Sequence, residues 1–199
     1  MADKLMIEIF KRKNADEFTQ SLADPAGKMQ EGSAAAATAA MAAALCERGS
    51  RLISDRQGEN ERLSYLVRNA EILRGYMVHL IDEDVKSRGP LNRARKEGGE
   101  REIEAARQTA VCINAEIVNM MGTCLTFVEE LAALGAAEAR QYLLPAAELA
   151  LSATRVAREA ILFQAAQSCD DTYRYVTERE NEISLQEQEK IYERIRRAL

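Results

Sequence analysis

The sequence has few of the residues that break helices and few that favour strands. Its 199 residues include 3 prolines and 10 glycines, no tryptophan, and only 5% aromatic residues. Alanine, the strongest helix former, is abundant instead. Since so little of the sequence suits a pleated strand, the composition predicts an all-α protein.

The same shortages exclude several classes of function. Few aromatic rings are available to stack on unpaired bases, and a net charge of -5 gives no basic excess for a phosphate backbone. The sequence therefore predicts no nucleic-acid partner. Its 4 cysteines form no CxxC pair and there is 1 histidine, so the usual zinc spacings are missing. We predict no metal site, and we expect the cysteines to be buried free thiols.

Long apolar runs are also scarce. The first residues mix acidic and basic side chains, which is unlike a signal peptide. The alanine run of residues 34–45 is too short and too weakly apolar to span a membrane. These features predict a cytoplasmic protein without a membrane partner.

Apolar spacing and breaker positions divide the chain into helical segments of one bundle. We expect one domain over residues 1–199, with Ser33 as an N-cap, an interruption at Arg88-Gly89-Pro90, and an N-cap arrangement at Asn14. The predicted helical segments cover residues 3–24, 33–54, 60–87, 100–134, 136–169 and 170–199.

Two of these segments have unusual compositions. Residues 34–44 are nearly all small, so another backbone can approach this helix closely, in a crowded centre or at a subunit interface. Residues 170–199 are highly charged, with Ile183, Ile191 and Ile195 as sparse apolar positions. That last segment is expected to be a solvated helix packed through one narrow stripe, or else a partner-binding or coiled-coil helix.

Four features occur in an order that resembles the cyclodeaminase/cyclohydrolase family. Residues 18–23 read FTQSLA, Gly32-Ser33 precedes the alanine-rich helix, and residues 80–84 read LIDED. The order and length of the later helices also match. The family includes methenyltetrahydrofolate cyclohydrolases and the cyclodeaminase half of formiminotransferase-cyclodeaminase.

The resemblance implies an all-α homodimer with a folate-type ligand in a cleft beside the Gly32-Ser33 loop. It implies C–N hydrolysis or deamination at the one-carbon bridge of a tetrahydrofolate adduct, with no metal and no other cofactor. Asp84 corresponds to the family's carboxylate, and Gly32 and Ser33 to its substrate-binding loop. A carboxylate there would stabilise a cationic amidinium or activate water. The alternative for Asp84 is one more solvated carboxylate on a charged helix.

The chain also departs from the family pattern in its polar positions. Gln30 and Glu31 replace glycines of the loop, and Arg88 stands where the family has an aromatic residue. The family's asparagine-containing stretch falls near residues 160–164, which contain no asparagine. Glu31 is expected to place negative charge where an anionic ligand tail would lie. These departures support a second hypothesis, a non-catalytic or redirected helical dimer that serves as a binding or regulatory module.

Overall fold

A computed structural model describes residues 9–58, 60–134 and 137–199, and all of the regular structure in these ranges is helical. This confirms the all-α bundle. The predicted helix starts at residues 3 and 136 lie outside the described residues. The α-helices are α1 (Ala15–Ala23), α2 (Glu31–Gln57), α3 (Glu61–Glu97), α4 (Glu100–Ala110), α5 (Cys112–Ala133), α6 (Arg140–Ala165) and α7 (Asp171–Ala198).

The alanine-rich helix α2 lies in the centre of the bundle and packs against α3, α5 and α6. Its alanine side chains form a thin inner face whose members are 0% exposed. These fully buried alanines are Ala35, Ala36, Ala39, Ala42 and Ala43. At Gly49 an added Cβ would lie 2.6 Å from Leu143 Cδ2, so α6 approaches α2 within the space that glycine leaves. The prediction of a crowded centre is confirmed.

The start of α2 and the end of α3 differ from the predicted boundaries. The N-cap of α2 is Gln30, and Ser33 lies buried inside the first turn. Helix α3 continues through Arg88-Gly89-Pro90 to Glu97. A proline inside a helix destabilises it by about 3 kcal/mol, because the residue cannot donate the helical hydrogen bond. Buried contacts by Arg88 and Leu91 hold these last turns against the bundle.

The opening segment contains one predicted cap and one unexpected anchor. Asn14 caps α1, because its side chain accepts from Glu17 N at 2.9 Å in a capping box. Before it, the main chain is tied to α3: Phe10 N donates to the buried Asp82 Oδ1 at 2.8 Å. Asp82 therefore has a structural role, separate from that of Asp84.

The predicted segment of residues 100–134 is divided at Val111 into α4 and α5. The most apolar window of the stretch Glu100–Ala133 has a mean hydropathy of 1.5. By length and composition alone, this stretch could cross a membrane. Half of that window is buried inside the bundle. A buried core helix of a bundle can have the same composition as a membrane span. This stretch therefore does not test the predicted absence of a membrane partner, which stays a prediction.

The cysteines are free, but only two of them are buried. Cys46 and Cys124 lie in the core, while Cys112 and Cys169 are exposed. The expectation of four buried thiols was therefore wrong for Cys112, at the start of α5, and for Cys169, after the end of α6. The neighbouring Cys124 and burial together raise the pKa of the Cys46 thiol well above its usual value, so Cys46 is held as a neutral thiol.

The charged C-terminal helix packs through one narrow stripe, as predicted, although the stripe is more polar than expected. Ile195 is buried, whereas Ile183 is 42% exposed. Gln188 is 5% exposed and joins two helices at once. Its Oε1 accepts from Thr154 Oγ1 at 2.6 Å and its Nε2 donates to Val118 O at 2.9 Å. An amide side chain thus attaches α7 to α5 and α6.

We predict that Gln188→Ala lowers the free energy of unfolding by about 1–3 kcal/mol, because it leaves buried polar partners unpaired. Gln186→Ala, at an exposed position of the same helix, should change it by less than about 0.5 kcal/mol. Urea denaturation followed by circular dichroism measures both. Equal effects of the two substitutions would contradict this role for Gln188.

Candidate functional site

The predicted site residues Gly32, Ser33 and Asp84 meet where the first turn of α2 contacts α3. Asp84 is 0% exposed. Its Oδ2 accepts from Ser33 Oγ at 2.9 Å, and the Ser33 hydroxyl also lies 3.3 Å from Ile81 O. The structure therefore brings together all three residues that the sequence singled out.

Gly32 is the reason why the Asp84 carboxylate can approach α2 so closely. A Cβ at this position would overlap Asp84 Oδ1 and would lie 2.9 Å from Asn114 Oδ1. Both oxygens are buried and neither has a hydrogen-bond partner among the described residues. A glycine, a carboxylate and an amide thus surround a buried polar spot in which two acceptor oxygens are unpaired.

Two residues that depart from the family pattern pair with each other beside this spot. Arg88 Nη2 donates to Glu31 Oε1 at 2.8 Å, and Arg88 Nε lies 4.0 Å from Asp84 Oδ1. Arg88 is 8% exposed. The negative charge expected at Glu31 is therefore neutralised by Arg88, which also provides a counter-ion for Asp84.

The pKa of Asp84 is raised above its usual value of 3.8, and burial is the largest cause. The positive charge of Arg88 and the hydrogen bonds from the Ser33 hydroxyl and backbone oppose that shift without cancelling it. The Asp84 carboxyl therefore takes up a proton more readily than an exposed aspartate does. A group of this kind can donate a proton in one step and carry negative charge in the next.

A pocket of about 370 Å³ lies next to the site, between the start of α2, the last turns of α3 and the end of α6. Arg88 lines it and connects it to Asp84, but Asp84 itself is not a lining residue. Its other polar lining residues are Gln30, Asn92, Arg95, Gln164 and Gln167. Phe163, 64% exposed, forms part of the rim.

No group of three or more His, Cys, Asp or Glu side chains in the described parts of the chain is arranged to hold a metal ion. The lone histidine, His79, is half exposed, and its Nε2 lies 3.6 Å from Glu83 Oε1 on the outer face of α3. It is therefore away from Asp84. The absence of a metal or other cofactor stays a prediction.

The family model of formiminotransferase-cyclodeaminase matches residues 14–183 of the chain. The chain belongs to this family. The resemblance stated from the sequence is thereby confirmed, and membership supports a function in folate one-carbon metabolism. A comparison with curated proteins gives no match.

Among solved structures, a formiminotetrahydrofolate cyclodeaminase from Thermotoga maritima has a similar fold. The TM-score is 0.87 at 22% sequence identity, and the match covers 95% of this chain and 96% of that chain. The similarity therefore extends over nearly the whole bundle. At this identity it establishes the helical architecture and not the reaction.

Four further residues of the site, Arg88, Glu31, Asn114 and Gln164, were not predicted as site residues from the sequence. Arg88 and Glu31 were interpreted separately, as two unrelated losses of the family pattern, although opposite charges at two departures were a signal that they pair. Asn114 has no motif around it, and its position depends on the packing of α5 against α2. Gln164 lies in the stretch where the family has asparagine, and it supplies a buried amide there.

We predict that Gly32→Ala destabilises the protein by about 1–3 kcal/mol, because the new Cβ overlaps the Asp84 carboxylate. Gly75→Ala is the matched control. Gly75 is an exposed helix position with nothing within 4 Å of an added Cβ, so the change should stabilise by about 0.5–1 kcal/mol. Urea denaturation gives both values. The same sign for both variants would refute the close approach at Gly32.

The raised pKa of Asp84 makes the stability of the fold depend on pH. Below the usual aspartate pKa of 3.8, Asp84 is protonated in both the folded and the unfolded chain, so it does not make the free energy of unfolding depend on pH. As the pH rises above 3.8, the unfolded chain releases this proton first, so the wild type loses stability until the pH passes the raised pKa. Each unit of the shift corresponds to about 1.4 kcal/mol.

The variant Asp84→Asn lacks this titration, so its stability relative to the wild type should increase over the same pH range. Denaturation curves of both proteins from pH 3 to pH 8 measure the difference. A difference that is constant with pH would show that the Asp84 pKa is not raised.

Proposed function

We propose that this protein catalyses cleavage of a C–N bond at the one-carbon bridge of a tetrahydrofolate adduct, as a cyclohydrolase or cyclodeaminase, with Asp84 as the acting carboxyl group. The observation that carries the proposal is the buried Asp84 Oδ1, which has no hydrogen-bond partner in the described chain. This oxygen has Arg88 as a counter-ion at 4.0 Å but accepts no hydrogen bond from the described residues, and a ligand that donates to it would supply the missing bond.

The substrate chemistry matches such a group. A methenyl bridge is a cationic amidinium, so an ionised Asp84 would stabilise it by charge. Water then adds to the bridge carbon and one C–N bond breaks, which gives a neutral N-formyl product. Of the two protons that the water gives up, one is delivered to the leaving nitrogen and the other is released to solvent. A carboxyl group with a raised pKa can accept a proton from the water and then deliver it to the nitrogen.

Ser33 supports both protonation states of Asp84. When Asp84 is ionised, the Ser33 hydroxyl donates to Oδ2 at 2.9 Å. When Asp84 is protonated at Oδ2, the carboxyl donates to Ser33 Oγ and the hydroxyl turns to Ile81 O, 3.3 Å away. One hydroxyl thereby keeps the carboxyl oriented through a proton transfer. Gly32 contributes the space in which the carboxyl lies.

The second candidate is a non-catalytic or redirected member of the family that binds its ligand without cleaving it. A specific observation favours it: Asp84 does not line the pocket, and Arg88 already serves as its counter-ion. Arg88 must move for a ligand to reach Asp84 Oδ1. Ligand binding without turnover is the behaviour that this second function predicts.

We also propose that the protein forms a homodimer in the cytoplasm. A homodimer and a cytoplasmic location are supported by the family membership and by the composition, respectively. A folate-type small molecule is the proposed ligand. Sedimentation of the purified protein measures the assembly state directly.

The reaction is tested by following the loss of methenyltetrahydrofolate absorbance with purified protein. We expect acceleration over buffer, and we expect Asp84→Asn to lower the rate by about 100-fold or more, because it cannot transfer the proton. Glu83→Gln, which removes a partly exposed carboxylate at the adjacent position, is the matched control and should keep the wild-type rate.

Folded protein that gives no acceleration would overturn the catalytic proposal. If the same protein binds a folate, the binding-module function replaces it. Equal loss of activity in Asp84→Asn and Glu83→Gln would show that Asp84 has no special role.

A further inference from the structure

Asn114 is a buried amide that the proposed reaction does not use. It belongs to α5, reaches the contact between α2 and α3, and is 1% exposed. Its Oδ1 is enclosed and accepts no hydrogen bond within the described residues. Leaving a buried polar group unpaired destabilises a fold, so an asparagine in this part of the core requires a partner that the present contacts do not supply.

Asn114 Oδ1 and Asp84 Oδ1 share one spot beside Gly32. Asn114 Oδ1 lies 2.9 Å from the point that a Cβ on Gly32 would occupy, and Asp84 Oδ1 lies closer to the same point. The two oxygens can therefore be no farther apart than about two O–H···O hydrogen bonds in a row. Both are acceptors, so they repel each other unless a proton lies between them.

The other oxygen of the Asp84 carboxyl is already occupied. Ser33 Oγ donates to Asp84 Oδ2 at 2.9 Å. A proton on Oδ2 requires this hydroxyl to turn toward Ile81 O, whereas a proton on Oδ1 leaves the bond from Ser33 in place. With the proton on Oδ1, both carboxyl oxygens, the Ser33 hydroxyl and Asn114 Oδ1 have partners at the same time.

Besides burial, two charged groups act on Asp84 in opposite directions. Arg88, on the same helix, favours the ionised carboxylate, and Glu31, on α2, disfavours it. These two groups also pair with each other at 2.8 Å. The group that approaches Asp84 from α5 is the neutral Asn114, so it contributes a hydrogen bond and not a charge.

We propose that Asn114 is a positioning residue that accepts a hydrogen bond from the protonated Asp84 carboxyl and thereby keeps the proton on Oδ1. Oδ1 is the oxygen that the proposed ligand reaches, so the proton is held where it can pass to the leaving nitrogen. That consequence rests on the proposed function, whereas the place of the proton rests on the contact among α2, α3 and α5. Asn114 itself does not touch the reacting atoms.

The test is an NMR titration of the Asp84 carboxyl carbon in the full-length, ¹³C-labelled protein, with the signal assigned by its loss in Asp84→Asn. We expect Asn114→Leu, which removes the acceptor, to weaken proton binding to Asp84 about tenfold, because a buried hydrogen bond to the neutral acid is lost. Asn119→Leu makes the same change at an exposed position of α5 and should leave the titration unchanged.

Asn114→Asp gives a second measurement with a side chain of nearly the same shape, and it decides the question if Asn114→Leu does not fold. Two carboxyl groups this close cannot both ionise freely. The variant should therefore hold one proton up to a higher pH than the wild type does on Asp84. Asn119→Asp, at the exposed position, should retain no such proton.

Three outcomes would overturn this role. They are an unchanged Asp84 titration in Asn114→Leu, stronger proton binding there, which would show that the amide donates to an ionised carboxylate instead, and independent titration of the two carboxyl groups in Asn114→Asp. These titrations involve no turnover, so they separate the two proposals. Turnover of methenyltetrahydrofolate with an unchanged titration would remove only the role of Asn114, and the expected titrations without turnover would remove only the reaction.

Discussion

The close contact of the Asp84 carboxyl group with the first turn of α2 is the constraint on which the rest of the site depends. It requires a residue without a side chain at Gly32, a hydroxyl at Ser33 and a buried position for Asp84 on α3. It also joins the central helix to its main neighbour. The same contact that packs the bundle leaves Asp84 Oδ1 in a desolvated place without a hydrogen-bond partner among the described residues, so the protonation of Asp84 is sensitive to an arriving charge.

Arg88 and Glu31, which depart from the family pattern, lie beside this centre and pair with each other. A glutamate in the loop would by itself repel an anionic ligand, and an arginine four residues after Asp84 would by itself repel a cationic one. Paired at 2.8 Å, they neutralise each other, and they leave Arg88 between the Asp84 carboxylate and the neighbouring pocket. Two of the departures from the family pattern thus form one ion pair, which explains how both are accommodated beside a buried carboxylate.

The sequence predicted much of the fold because local physics determines it. Alanine-rich composition, the capping box at Asn14 and the crowded helix at residues 34–44 follow from propensity, side-chain hydrogen bonding and size. The continuation of α3 past Pro90 did not follow, because the burial of Leu91 that outweighs the proline is a tertiary effect. In the site, the resemblance to the family was enough to identify Asp84, Gly32 and Ser33. Asn114 and the Arg88–Glu31 pair were not, since only packing brings residues so far apart in the chain together.

The central claim is that the unpaired Asp84 oxygen is a place for the one-carbon end of a folate rather than only a packing contact between two helices. The most direct test is a crystal structure of the protein with 5-formyltetrahydrofolate, a stable one-carbon adduct. We expect the one-carbon end to lie within hydrogen-bond distance of Asp84 Oδ1, with Arg88 displaced from its present position. A ligand bound elsewhere, with Asp84 still enclosed by Gly32, Ser33 and Arg88, would contradict it.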